Sequence, residues 1–99
     1  MRLIRVGAGV VNQTALDWSG NQERLLAAIE EAREAGVQVF CLPELSITGY
    51  GCEDAFFSPD VARRAMAMLP VLAEASQGML TAVGLPLLYQ GSLYNVAAL

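Results

Sequence analysis

The chain has 99 residues and a mass of 10.6 kDa, which is enough for one domain with a small core. Hydrophobic residues make up 55% of the sequence and charged residues 16%, a composition that excludes an intrinsically disordered protein. Six Arg, no Lys and ten acidic residues give a net charge of −4, which argues against nucleic acid or an anionic membrane as a partner.

The first half of the chain predicts a βαβ unit. Leu3–Val11 is apolar and β-branched at both ends, as expected for a buried strand. Ser19, followed by Gln22, resembles a capping box at the start of a helix. Gly36 ends this helix, and Val37–Leu42 forms the second buried strand. The apolar residues of the helix share one face: Leu25, Leu26, Ile29, Ala32 and Ala35.

A second helix is predicted after residue 58. Ser58 is the expected N-cap, and Pro59 occupies the first helical position, where its missing N–H costs nothing. We expect Pro70 to kink or split this helix, because proline removes a backbone hydrogen bond. The helix should end near Gly78.

Three short strands are predicted to follow. They are Met79–Gly84, Leu85–Tyr89 and Ser92–Leu99, and a tight turn at Gln90-Gly91 joins the last two into a hairpin. The order of elements indicates an α/β fold. No linker-like segment divides residues 1–99, so we predict a single unit without an internal domain boundary.

The C-terminal quarter, Ala75–Leu99, contains no charged residue. Glycine and proline break it into runs of strand length, which favours buried strands over a membrane span. No export signal is evident at the N-terminus. Two cysteines are too few for a secreted disulfide framework, so the sequence predicts reduced thiols and a cytoplasmic location.

Glu44 is the candidate catalytic residue that the sequence pattern favours. It lies just past the second predicted strand, where open α/β sheets place their ligand sites. Apolar neighbours, Pro43 and Leu45, predict a partly desolvated carboxyl with a raised pKa, which suits a general base. The alternative is a glutamate that only accepts hydrogen bonds from backbone N–H groups of its loop.

The two thiols are weaker candidates. Cys41 precedes Glu44 by three residues, but its place within a strand favours a buried structural thiol. Cys52 is followed by Glu53 and Asp54, which would raise its pKa and reduce its reactivity. The chain has no His, which excludes Ser-His-Asp and Cys-His nucleophile systems and imidazole zinc sites among these residues, and we predict no metal site.

The segment Pro43–Tyr50, continued by Gly51–Phe56, resembles the glutaminase domain of glutamine-dependent NAD synthetases, a branch of the nitrilase superfamily. The Pro-Glu and Gly-Tyr pieces are common to many nitrilase-type amidases, whereas the Glu-Asp-x-Phe continuation points to the NAD synthetase branch. Further segments extend the likeness over the whole chain: Asn12–Thr14, Asp17-Trp18, Asn21, Val83–Pro86 and Leu93–Asn95.

The resemblance implies a four-layer αββα sandwich, of which residues 1–99 would form an incomplete N-terminal portion. It also implies a Glu-Lys-Cys triad in which Glu44 is the general base and Tyr50 lines the glutamine pocket, unless the Tyr50 ring only packs under its loop. The family's Lys stabilises the tetrahedral intermediate and its Cys attacks the glutamine amide. This chain has no Lys, and neither of its cysteines matches the nucleophile. We therefore expect the 99 residues alone to be inactive.

The resemblance further implies a longer parent enzyme. Its ATP-using and Mg²⁺-using synthetase domain would amidate nicotinic acid adenine dinucleotide with the ammonia released from glutamine. The implied partners are glutamine, the remainder of the enzyme and further copies in a homo-oligomer, with no cofactor in this chain. Two alternatives stay open: a nitrilase-type amidase or carbamoylase, and a catalytically inactive interaction module whose uncharged tail pairs with another chain.

Overall fold

Four strands form one mixed sheet in the computed structural model, which describes residues 1–99. The strands are β1 (Val6–Ala8), β2 (Val39–Cys41), β3 (Leu80–Tyr89) and β4 (Ser92–Ala98). Two helices, α1 (Trp18–Glu34) and α2 (Pro59–Ala75), and a short 3-10 helix, Glu53–Phe57, connect them. The strands lie side by side in chain order. β1, β2 and β3 are parallel, whereas β4 is antiparallel to β3. The predicted α/β class is confirmed.

Helix α1 begins two residues earlier than the capping box predicts. Asp17 is the N-cap, and its carboxylate accepts a hydrogen bond from the backbone N–H of Gly20 at 3.1 Å. The predicted cap at Ser19 is wrong, because the Asp17 carboxylate already satisfies an unpaired N–H of the first turn. Gly36 ends the helix as predicted, with a φ of +73°. Two backbone hydrogen bonds close the turn, from the Gly36 N–H to the Arg33 carbonyl and from the Val37 N–H to the Ala32 carbonyl.

Helix α2 is continuous through Pro70, so the predicted split is wrong. Ser58 is the N-cap and Pro59 the first residue, as predicted, although the Ser58 side chain makes no capping hydrogen bond. Apolar side chains buried on both sides of Pro70 hold the two halves of α2 against the core: Val61, Ala65, Met68 and Leu72. Their packing outweighs the backbone hydrogen bond that proline removes.

The structure has one strand, β3, where the sequence predicts two. Its first part pairs with β2, from Leu80 to Ala82, and its second part pairs with β4, from Val83 to Tyr89. Pro86 lies beyond the part that pairs with β2, where a residue without an N–H is tolerated. The strand therefore belongs to both the parallel and the antiparallel part of the sheet.

The core is a single cluster of buried side chains contributed by both helices, the sheet and the loop that follows β2. The helices also contact each other. Neither helix combines the length and the apolar character that a membrane crossing needs. The cluster contains these residues: Leu25, Ile29, Ala32, Phe40, Leu42, Ile47, Ala65, Met68, Leu72, Val83 and Leu85.

Large apolar side chains also lie exposed, and we expect them to make the 99-residue chain self-associate at micromolar concentration. These side chains lie in the N-terminal segment and on the β3–β4 hairpin: Leu3, Ile4, Val6, Leu88, Tyr89, Leu93 and Tyr94. The hairpin has no charged residue that would oppose association. Ser92→Lys adds a charge to the exposed hairpin and should shift sedimentation profiles toward the monomer.

Ser19→Lys adds the same charge to the already charged, exposed surface of α1 and should change association less. A wild-type chain that sediments as a compact monomer at micromolar concentration would contradict this expectation.

Candidate active site

The loop that carries Glu44 begins where β2 ends and lies on β3. Two backbone hydrogen bonds fasten it there: the Leu42 N–H donates to the Ala82 carbonyl at 2.9 Å, and the Ile47 N–H donates to the Gly84 carbonyl at 3.2 Å. Glu44 lies between these two anchors. Its position at the carboxyl end of a parallel strand is the one that the sequence predicts.

Gly84 allows the loop to approach β3 closely. A Cβ at this position would lie 2.5 Å from the Leu45 nitrogen and 2.9 Å from the Glu44 Cα. Both are backbone atoms, which cannot rotate away as a side chain can. The backbone of Glu44 is therefore positioned by direct packing on a strand of the sheet.

The Glu44 carboxylate lies between two hydrogen-bond donors. Its Oε1 accepts a hydrogen bond from Asn95 Nδ2 on β4, and its Oε2 lies 3.5 Å from the Tyr50 hydroxyl on the same loop. Partial desolvation and the nearby Glu44 carboxylate raise the pKa of the Tyr50 phenol, so Tyr50 remains a donor at neutral pH. The Glu44 side chain is exposed, so the predicted desolvation is absent here.

A cleft of about 340 Å³ opens beside the carboxylate. Its walls include Cys41, Glu44, Gly84 and Asn95. The prediction of a buried Cys41 is wrong, because its side chain is exposed. Side chains alternate along β2, so Phe40 faces the core and Cys41 faces the other side of the sheet.

No three His, Cys, Asp or Glu side chains come close enough together to hold a metal ion.

The second cysteine, Cys52, does not face the cleft. Cys52 is buried, and its thiol lies 3.3 Å from the Gly49 carbonyl oxygen. Burial makes it inaccessible to a substrate in the cleft.

A buried amide on α1 holds the Glu44 loop from the other side. The Asn21 side chain is fully buried, and its Nδ2 donates to the carbonyls of Thr14 at 2.8 Å and of Ile47 at 3.2 Å. Its Oδ1 accepts from the Thr14 N–H at 3.0 Å and from Arg24 at 2.8 Å. Asn21 thereby connects the β1–α1 loop, helix α1 and the Glu44 loop.

Gln13 extends this network. Its Nε2 donates to the Ser46 carbonyl at 2.6 Å, and its Oε1 accepts from Arg24 Nε at 2.9 Å. Arg24 also pairs with the Asp17 carboxylate at 3.2 Å. The β1–α1 loop is therefore cross-linked by side chains to two successive residues of the Glu44 loop, Ser46 and Ile47.

Comparison with known proteins places the chain in a family. Residues 5–99 match the family model for carbon-nitrogen hydrolases. The chain belongs to the carbon-nitrogen hydrolase family. It is 36% identical over 101 residues to the glutamine-dependent NAD(+) synthetase of Arabidopsis thaliana and 37% identical over 95 residues to that of Saccharomyces cerevisiae. It spans only 14% and 13% of the length of these curated relatives.

Solved structures of the family agree with the fold. A crystal structure of a glutamine-dependent NAD(+) synthetase from Cytophaga hutchinsonii superimposes with a TM-score of 0.92 and 45% identity, over 95% of this chain and 16% of that one. The enzyme from Acinetobacter baumannii shares the fold at 21% identity, with a TM-score of 0.76. The predicted resemblance and the nitrilase-like fold are thereby confirmed.

The sequence predicts two residues of this candidate site, Glu44 and Tyr50, and the structure brings them together. Asn95, Asn21 and Gln13 lie in segments that carry the resemblance, but no residue pattern predicts a role for them. Asn21 carries a recognisable signal, because it lies four residues before Leu25 and so on the apolar face of α1, where a polar side chain must find buried partners.

Asn21→Leu should destabilise the chain by about 3 kcal/mol, because the Thr14 N–H and the Ile47 carbonyl lose the hydrogen-bond partner that the buried amide provides. Urea unfolding followed by Trp18 fluorescence, at one low protein concentration for all variants, measures this. Glu23→Leu is the matched control, since it puts the same side chain on an exposed position of α1 and should change stability by less than about 0.5 kcal/mol. Equal midpoints for the two variants would refute the role of the buried amide.

Proposed function

We propose that residues 1–99 are the N-terminal portion of the glutaminase domain of a glutamine-dependent NAD synthetase. The observation that carries the proposal is the Glu44 carboxylate, which is fixed at the end of β2, open to a cleft and contacted by two donors. The likeness to NAD synthetases over nearly the whole chain supports this substrate class over other nitrilase-type amidases.

In the proposed reaction, Glu44 acts as the general base. Its carboxylate takes the proton of a cysteine thiol that lies outside these residues, and the sulfur attacks the amide carbon of glutamine. The C–N bond breaks, the proton passes to the leaving group, and ammonia departs. Water then hydrolyses the thioester, again with Glu44 as base, to give glutamate and the free thiol.

Tyr50 is proposed to line the glutamine pocket. Its hydroxyl faces the Glu44 carboxylate and its side chain is 56% exposed, so a substrate in the cleft can reach it. The 99 residues contain neither the Lys nor the nucleophilic Cys of the triad, and loss of triad members costs several orders of magnitude in rate. We therefore propose that they are inactive alone.

The ammonia is proposed to serve a synthetase domain of the longer protein, where nicotinic acid adenine dinucleotide is amidated with ATP and Mg²⁺. The residues present here do not fit a Mg²⁺ site, because no three acidic or other ligand side chains converge. No step in this chain is assigned to ATP or Mg²⁺. We also propose that the longer protein assembles into a homo-oligomer. Two free thiols support a cytoplasmic location.

Glu44→Gln in the longer protein should lower glutamine hydrolysis by about a thousandfold, because an amide cannot accept the thiol proton. NAD formation from supplied ammonia should stay unchanged, since that step does not use Glu44. Glu23→Gln makes the same chemical change on the exposed surface of α1 and should affect neither activity.

Glutamine hydrolysis retained by Glu44→Gln would contradict the proposed base. Ammonia release by the purified 99-residue chain would contradict its inactivity and would implicate Cys41, the exposed thiol of the cleft. A wild-type protein that hydrolyses amides but forms no NAD with either nitrogen source would instead be a nitrilase-type amidase.

A further inference from the structure

The Glu44 carboxylate receives its closest side-chain contact from a different part of the chain. Asn95 Nδ2 on β4 donates to Oε1, although the two residues are 51 positions apart. The other donor, Tyr50, lies on the same loop as Glu44, at the longer distance of 3.5 Å. Asn95 is the only side chain outside the loop that holds this carboxylate.

The position of Asn95 is set by the sheet. It pairs with Pro86 in the register of β3 and β4, and Gly84, two residues before Pro86, lies directly under the Glu44 backbone. The same hairpin thus contacts the backbone of Glu44 through β3 and its carboxylate through β4. Asn95 and Glu44 also share the wall of the cleft.

An exposed glutamate has three rotatable side-chain bonds, and fixing them costs free energy that a reaction would otherwise have to supply. A hydrogen bond from a residue on a paired strand fixes the carboxylate before substrate binds. An asparagine is suited to this task, because its amide N–H donates a hydrogen bond to the carboxylate and does not ionise at neutral pH.

We infer that Asn95 is a positioning residue that holds the Glu44 carboxylate in the orientation required for proton transfer. The inference rests on the proposed role of Glu44 as general base. Asn95 does not touch the reacting atoms and acts through Glu44. Tyr50 is left available for the substrate.

Asn95→Asp in the longer protein tests this inference, since it preserves the shape of the side chain and replaces the donor with a second carboxylate. We expect kcat for glutamine hydrolysis to fall about a hundredfold, with the KM for glutamine within about twofold of wild type. Ammonia-supplied NAD formation and the thermal midpoint should not change.

The pH profile provides a readout that a purely structural role would not alter. Two adjacent carboxyl groups share a proton at a raised pKa, and the protonated form again offers a donor to Glu44. The activity of Asn95→Asp relative to wild type should therefore rise as the pH is lowered. Ser92→Asp is the matched control, because it adds the same charge at the exposed turn end of β4, where it pairs with Tyr89.

An Asn95→Asp variant with wild-type kcat would overturn the inference and leave the proposed function intact. A variant that loses ammonia-supplied NAD formation and thermal stability together with glutamine hydrolysis would show a structural role and would also overturn it. A wild-type protein without glutamine hydrolysis would remove the proposed function, and the inference with it.

Discussion

The close packing of the Glu44 loop on β3 is the constraint on which the site depends. The loop is held by backbone hydrogen bonds to Ala82 and Gly84, and the missing side chain at Gly84 permits the contact. Since the second half of β3 pairs with β4, the same packing brings Asn95 to the Glu44 carboxylate. A loop displaced from β3 would therefore also lose the contact between Glu44 and Asn95.

The opposite side of the loop is held by polar contacts instead of close packing. Asn21 and Gln13 bind its backbone carbonyls, and Arg24 binds both of these side chains. Each hydrogen-bonding position of the buried Asn21 amide has a partner, so moving this side chain would leave buried groups unpaired. The site thus combines an exposed carboxylate with a backbone that is fixed from both sides.

Local signals explain which parts of this structure the sequence predicts. Gly36, Ser58 and Pro59 mark helix ends by their own conformational preferences, and Glu44 is found because it follows a strand. The continuity of β3 and the exposure of Cys41 depend on which strands pair and in which register, and this is not encoded within one segment. The contact between Asn95 and Glu44 has the same origin, so no local pattern reveals it.

The most direct test is a high-resolution crystal structure of the longer protein with glutamine, its proposed substrate, bound. We expect the Glu44 loop to lie on Gly84 and the Asn95 amide to remain within hydrogen-bond distance of the Glu44 carboxylate, with the Tyr50 hydroxyl turned to the substrate. A Glu44 carboxylate that faces the glutamine amide while Asn95 Nδ2 lies well beyond about 3.5 Å would contradict the proposal that the hairpin positions this carboxylate.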